Sequence, residues 1–282
     1  LRPAQPAVDR PALHLHRARV NPRASLAVSL LVLAPLTTGR LAAADTPATP
    51  AAPAPAAPSA PTQPVMLIVH GAWGGAWQFS KVDPLLRAQG FDLRRPTLTG
   101  LGERAHLVSA DIGLSTHIQD VVNVILFEQL HDIILVGHSY GGMVITGVAD
   151  RLPDRIAKLV YLDAMVPEDG ECAQDVMGIA DWISKMTKDG LIHPPWAKPG
   201  DVYPNDVPHP LKTFTEPLPL KQPARGKIPA VYILTVDPGR KPEEDAFWKS
   251  AERARARGWP VVVMEADHNP QWRKPVETAE LL

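Results

Sequence analysis

The sequence predicts an α/β domain: a mainly parallel, doubly wound sheet flanked by helices on both faces. Three observations predict it. Short, unbroken apolar runs such as Val65–Val69 and Ile133–Val136 alternate with helix-length stretches of amphipathic spacing. A tight turn, Gly137-His-Ser-Tyr-Gly141, stands between one such strand and the helix after it. The alternation is interrupted once, by a long proline-rich stretch between two strands.

The elements follow in order. Val65–Val69 reads as a buried strand that ends in His70-Gly-Ala-Trp-Gly-Gly75. Ser80 to Gln89 carries Val82, Leu85 and Leu86 on one face and stops at Gly90, which predicts a helix. Phe91 to Arg95 is a short strand, followed by the loop Pro96–Arg104 on the same sheet edge. Ile118, Val121, Val122, Ile125 and Leu126 give an amphipathic helix over Thr116 to Leu130. Ile133 to Val136 is the central strand, the turn follows, and a helix runs from Tyr140 to about Leu152. Ile156 to Leu162 is a strand ending at Asp163.

Ala164 to Lys227 breaks the rhythm with many prolines, Trp182 and Trp196, and no clear strand. Inserted between core strands, it predicts a cap over the ligand-binding edge of the sheet, about 164–228, with a plain surface loop as the alternative its prolines would also suit. Ala230–Val236 resumes the pattern and ends in Asp237-Pro-Gly. A helix from Glu243 to Arg257, a strand from Pro260 to Glu265, Asp267-His268-Asn269 and a helix from Pro275 to Leu282 complete it. Strand–helix alternation at this spacing implies right-handed crossovers.

The first 64 residues belong to no domain. Arg17, Arg19 and Arg23 precede the apolar run Ala24–Leu36, and Ala42-Ala-Ala44 follows. Basic flank, short apolar core and small residues predict a secretory signal peptide within 1–44, cleaved after Ala44. Such a run is too short for a comfortable membrane span. The stretch 45–64 is almost only proline, alanine and threonine, and predicts a disordered tether. A secreted or periplasmic protein is expected, with no stable membrane insertion after cleavage. The first twenty residues match neither a domain nor a signal and read as a misassigned start or a cloning remnant; the last helical pattern is cut off at Leu282.

A formal net charge of −1 over 282 residues gives nucleic acid or an anionic membrane nothing to hold. The single cysteine, Cys172, excludes an internal disulfide, and no histidine or acidic spacing predicts a metal.

Gly137-His-Ser-Tyr-Gly141 has the form G-x-S-x-G between strand and helix, the setting of a nucleophile elbow, and makes Ser139 the candidate nucleophile. A serine hydroxyl needs a base, and the base needs an acid to fix its tautomer. His268 alone among the histidines follows the last strand and is the expected base. His138 is expected to be structural, pointing away from the serine; His106, His117, His193 and His209 lack a strand-end position. Asp237, after the penultimate strand, is the favoured acid, with Asp163 as the alternative. Backbone N–H groups of Ala72 (or Trp73) and Tyr140 are the expected oxyanion hole. Trp73, Trp182 and Trp196 are candidate substrate contacts.

With these residues in view, the region from Val65 to Leu282 resembles the α/β-hydrolase superfamily. His70-Gly-Ala-Trp, Gly-His-Ser-Tyr-Gly-Gly and the late Asp-His look like the branch holding plant hydroxynitrile lyases, salicylate-type methylesterases and bacterial carboxylesterases. The resemblance implies a Ser139–Asp237–His268 triad, a helical cap, hydrolysis of a small-molecule ester and no cofactor. Lyases of this branch typically carry threonine at the position of Gly71 and lysine at that of Asn269, which argues against carbon–carbon lyase chemistry here. A ligand-binding protein on a dead hydrolase fold is the third expectation, opposed by the intact serine, histidine and aspartate.

Overall fold

The computed structural model describes residues 63–282 except residue 199. The expected leader, its cleavage point and nearly all of the tether lie outside the described residues. Six strands form one sheet: β1 (Val65–Val69), β2 (Asp92–Arg94), β3 (Ile133–His138), β4 (Ile156–Leu162), β5 (Ala230–Val236) and β6 (Val261–Glu265). Their order is β2-β1-β3-β4-β5-β6, with every neighbouring pair parallel.

Alternation along these strands builds two cores. Leu67, Val69, Leu135, Leu159, Tyr161, Tyr232 and Leu234 face one way, into α2 (Leu114–Phe127), α3 (Gly141–Arg151) and α4 (Trp248–Ala256). Met66, Ile68, Val136, Val160, Leu162 and Ile233 face the other way, with Leu86 of α1 (Asp83–Ala88) and Ala279 of α5 (Pro275–Leu281). Because both faces are covered, the strands are apolar at consecutive positions, the signature of a buried parallel sheet.

The chain winds outward from β1 to β2, then crosses to β3 on the other side of β1. That reversal opens a crevice at the carboxyl ends of β1 and β3, the place where open α/β sheets bind ligands. The loop after β1 and the turn after β3 flank it.

The helices keep their predicted positions but shift at the ends. The first begins at Asp83 rather than Ser80, since Pro84 suits an opening turn. The expected helix from Glu243 is a single turn over Pro242–Glu244 and a separate helix from Trp248. The insertion contains strands, contrary to expectation. Thr187–Lys188 and Leu191–Ile192 form a hairpin around Gly190, and His209–Pro210 pairs antiparallel to the second strand. Each is two residues long, too short for any alternation to register in the sequence. Three short helices, Ala173–Met177, Ala180–Met186 and Lys212–Thr215, with a 3-10 turn over Pro223–Lys227, supply the helical part of the insertion among the described residues. Among the described residues no helix is long and apolar enough to cross a membrane.

Backbone-to-backbone contact fixes the start of α3. A Cβ on Gly142 would lie 2.1 Å from the carbonyl oxygen of Met165, and one on Gly137 would lie 2.8 Å from that of Gly141. Met165 N–H in turn donates to the Ser139 carbonyl at 3.0 Å. The turn after β3 and the loop after β4 thus touch with no side chain between them. Gly142→Ala is expected to lose about 1–3 kcal/mol through forced backbone displacement. Its midpoint in urea should fall accordingly, while Gly226→Ala, where a Cβ meets open space, should leave it unchanged.

Candidate active site

Ser139 sits at the sharp turn with φ 55°, in the left-handed region that L-residues seldom occupy. The preceding glycine lets the start of α3 fold back onto β3, so the serine hydroxyl stands above the sheet edge. Ser139 Oγ lies 3.0 Å from His268 Nε2, and His268 Nδ1 lies 2.6 Å from Asp163 Oδ2. The Nδ1–H donates to the carboxylate, which leaves Nε2 as acceptor for the serine proton.

The carboxylate bonded to the His268 ring is therefore not the one favoured in the expectation. Asp237 is exposed just past the end of β5, and the His268 Nδ1 bonds Asp163 rather than it. Asp163, the alternative, is 1% exposed and directly follows β4. The physical reason is local backbone geometry. Asp163 has φ 43°, its N–H donates to the Ile233 carbonyl at 2.7 Å, and its Oδ1 accepts the Thr235 N–H at 3.1 Å. These bonds turn its side chain toward the base, whereas β5 carries Asp237 past the site to solvent.

His268 is also packed on both sides. Phe247 stacks on it at 4.8 Å and 9°, and the His138 ring lies 4.8 Å away. His138, expected to be structural, donates its Nε2–H to the His268 carbonyl at 2.7 Å. Burial, then the neighbouring His268, push its pKa well below the ordinary histidine value, so it stays neutral. Asp245, absent from the sequence-based expectations, lies near the acid. Burial, then the Asp163 carboxylate, raise its pKa.

Across the crevice, the loop after β1 presents its backbone to Ser139. Among the described residues, no acceptor engages the N–H groups of Ala72 and Tyr140. The Trp73 N–H is occupied, donating to His209 Nδ1 at 3.1 Å, which removes Trp73 as a donor for an oxyanion. Trp73 has φ 62°, and its indole N–H donates to the Ile192 carbonyl of the insertion at 3.2 Å. Its own carbonyl accepts Val207 N–H at 2.9 Å.

Buried histidines scaffold both candidate donors. His70 Nδ1–H donates to the Gly71 carbonyl at 2.8 Å, and its Nε2 accepts Leu98 N–H at 3.1 Å. His117 Nε2–H donates to the Thr99 carbonyl, and its Nδ1 accepts the Tyr140 hydroxyl, each at 3.0 Å. Burial is the largest cause that lowers the pKa of each ring to about 4. Burial likewise drives His209 well below its ordinary value and Tyr140 well above its own. These roles were invisible in the sequence, where the histidines follow no pattern.

The crevice has two lobes sharing Ala72, Trp73, Ser139, Trp196 and His268. One, about 400 Å³, is completed by Gly71, Gln78, His138, Asp206 and Asn269. The other, about 290 Å³, is lined by Met165, Met177, Ile179, Trp182, Phe214 and Phe247. The three expected tryptophans are brought together, with Trp73 edge-on to Trp182 at 6.0 Å and to Trp196 at 5.3 Å.

The family model described as "Alpha/beta hydrolase family" matches residues 66–281. The chain belongs to the alpha/beta hydrolase family. It is 38% identical over 239 residues to the carbendazim hydrolyzing esterase of a Nocardioides species, covering 77% of this chain and 97% of that one. It is 28% identical to the pyrethroid hydrolase of Sphingobium wenxiniae, covering 77% and 85%. Among solved structures, an extracellular alpha/beta-hydrolase from a Paenibacillus species shares the fold with a TM-score of 0.65 and 23% identity, covering 77% of this chain and 97% of that one. The protein is an ester hydrolase of the carboxylesterase type.

Two outcomes are expected. Asp163→Asn should lower kcat by about 10³- to 10⁴-fold on any turned-over ester, because an amide no longer fixes the His268 tautomer. Asp237→Asn should stay within about twofold, and steady-state kinetics of the pair checks the assignment.

The second concerns acid stability. His70 and His117 are neutral when folded, with pKa about 4 against the ordinary histidine value of 6.5. The unfolded chain therefore binds protons more readily, so stability is full above the unfolded pKa. It is lost as pH falls from about 6.5 toward 4, by on the order of 3 kcal/mol per ring. Urea midpoints between pH 7.5 and 4.5 should fall accordingly, and His117→Gln should flatten the decline.

Proposed function

We propose that the protein is an exported serine hydrolase that cleaves carboxylic esters of small or aromatic substrates through Ser139, His268 and Asp163. The observation that carries this reading is the chain of hydrogen bonds from Ser139 Oγ through the His268 ring to Asp163. Ser139 Oγ attacks the ester carbonyl as its proton passes to His268 Nε2. Asp163 stabilises the imidazolium, and the Ala72 and Tyr140 N–H groups hold the oxyanion. His268 then gives its proton to the departing alkoxide, leaving an acyl-Ser139. Water attacks that ester with His268 as base, releasing the acid and restoring the hydroxyl. Carbamates and amides would follow the same steps.

The relatives named as carbendazim-hydrolysing esterase, pyrethroid hydrolase and methylesterase support an ester substrate. Against lyase chemistry, Asn269 provides no cation, and a Cβ on Gly71 would lie 3.0 Å from both His138 Nδ1 and Ser139 Cβ. The threonine of the lyase branch would crowd both. Export rests on the basic flank, apolar run and small residues before Asp45. A full-length chain expressed with a working secretion pathway should be recovered with Asp45 as its amino terminus; an intact leader on active protein would refute export by this signal.

The central test is hydrolysis of p-nitrophenyl esters, acetate through octanoate, by wild type and Ser139→Ala. Loss of at least about 10⁴-fold in kcat is expected in the variant, with its fold retained. Turnover near wild type would end the assignment of Ser139.

A further inference from the structure

We propose that the lobe lined by Gln78, Asp206 and Asn269 is a subsite for a nitrogenous group bearing N–H donors, an amine or amidine on one half of the ester, with Asp206 as its specificity-determining residue. The inference rests on the ester-hydrolase reading and adds a substrate class to it.

The two lobes differ in chemistry although they share the serine and the base. The smaller is closed by methionine, isoleucine, tryptophan and phenylalanine, and offers a guest only apolar contact. The larger offers acceptors that nothing satisfies. Asp206 Oδ2 accepts the Trp196 indole N–H at 2.8 Å, but its buried Oδ1 has no donor. The Gln78 Oε1 beside it is also buried without a partner. The same side chains, with Asn269, continue into an adjoining hollow whose wall holds Gln271 (again with an unpartnered Oε1), Trp77 (whose indole N–H has no acceptor) and Arg273. Among the described residues no cation pairs with Asp206; Arg273, which lines the adjoining hollow, pairs instead with Asp267 at 3.4 Å.

Buried acceptors without donors are uncommon in folded proteins and call for a missing partner. A carboxylate can only accept, so the complementary group must donate, and a cationic N–H group supplies charge as well. Burial raises the Asp206 pKa against the opposing Trp196 bond, as expected for a carboxyl deprived of a counter-ion. The carboxylate is also held in place. Val207 N–H is bonded to the Trp73 carbonyl at 2.9 Å, and Trp196 packs edge-on against the Trp73 ring. A group bound at Asp206 is thereby referred to the backbone that faces Ser139.

The experiment uses two matched pairs of esters, because either half of a substrate can enter the lobe. The pairs are 4-(aminomethyl)phenyl acetate with 4-ethylphenyl acetate, and phenyl 4-(aminomethyl)benzoate with phenyl 4-ethylbenzoate. In one pair the amine should be preferred in kcat/KM by about tenfold or more, and Asp206→Asn should remove most of that preference. A preference absent from both pairs, or one that survives Asp206→Asn, overturns the proposal. Should the variant not fold, competition on wild type decides: benzamidine must inhibit about tenfold more strongly than benzyl alcohol. If folded wild type hydrolyses none of the four esters, the ester-hydrolase reading fails by itself. Calorimetric binding of benzamidine to wild type and Asp206→Asn then judges the subsite alone: weakening by about tenfold supports it, and equal binding overturns it.

Discussion

The structure depends on one buried carboxylate. Asp163 is all but sealed from water, and a lone charge there would be prohibitively costly. Two donors make it tolerable: the Thr235 N–H on Oδ1 and the His268 Nδ1–H on Oδ2. One comes from the neighbouring strand and the other from the loop after β6. The carboxylate therefore ties together three segments far apart in sequence, and it does so only when His268 holds its proton on Nδ1. The tautomer that satisfies the buried charge is the one that leaves Nε2 free to take a proton from Ser139. Folding and the proposed reaction make the same demand on that ring.

The opposite wall of the crevice uses neutral groups for the same end. Each of His70 and His117 acts as donor through one nitrogen and acceptor through the other, which a protonated ring could not do. His70 fixes the carbonyl of Gly71, next to Ala72. His117 fixes the hydroxyl of Tyr140, whose N–H is the second candidate oxyanion donor. His209 occupies the Trp73 amide, so that this donor is withheld while the one before it stays free. Burial keeps all three rings uncharged. The proposed oxyanion hole needs dipoles already aimed before charge develops, and a wall of uncharged rings, two of them bonded through both nitrogens, provides that without an adjacent competing charge.

Much of this was legible in the sequence, and the division is physical. Ser139, His268 and the backbone donors are set by local features: a glycine-flanked turn, a strand end, a loop after the first strand. Position along the chain is enough to place them. The acid is not of that kind. Asp163 and Asp237 both end strands, and the choice lies in a left-handed φ and in bonds to Ile233 and Thr235 that no pattern announces. The scaffold histidines escaped for a related reason, since their partners come from loops and helices elsewhere. In the insertion, strands of two residues give no periodicity, and its architecture follows from tertiary contacts such as Trp73 to Ile192.

That last contact explains why the insertion and the catalytic edge behave as one unit. Trp73 gives its amide to His209, its carbonyl to Val207 and its indole to Ile192, all within the insertion. Its ring meets Trp182, Trp196 and Phe214 from the same segment. The residue next to Ala72 is thus the hinge on which the roof of both lobes is hung, and its positive φ is sustained by bonds on every side. A change in the roof reaches the serine through Trp73 and also through Met165, whose N–H donates to the Ser139 carbonyl at 3.0 Å. The walls of the two lobes and the backbone of Ala72 and Ser139 therefore share supports in the insertion, so in the proposed reaction a substitution there is expected to alter kcat as well as KM.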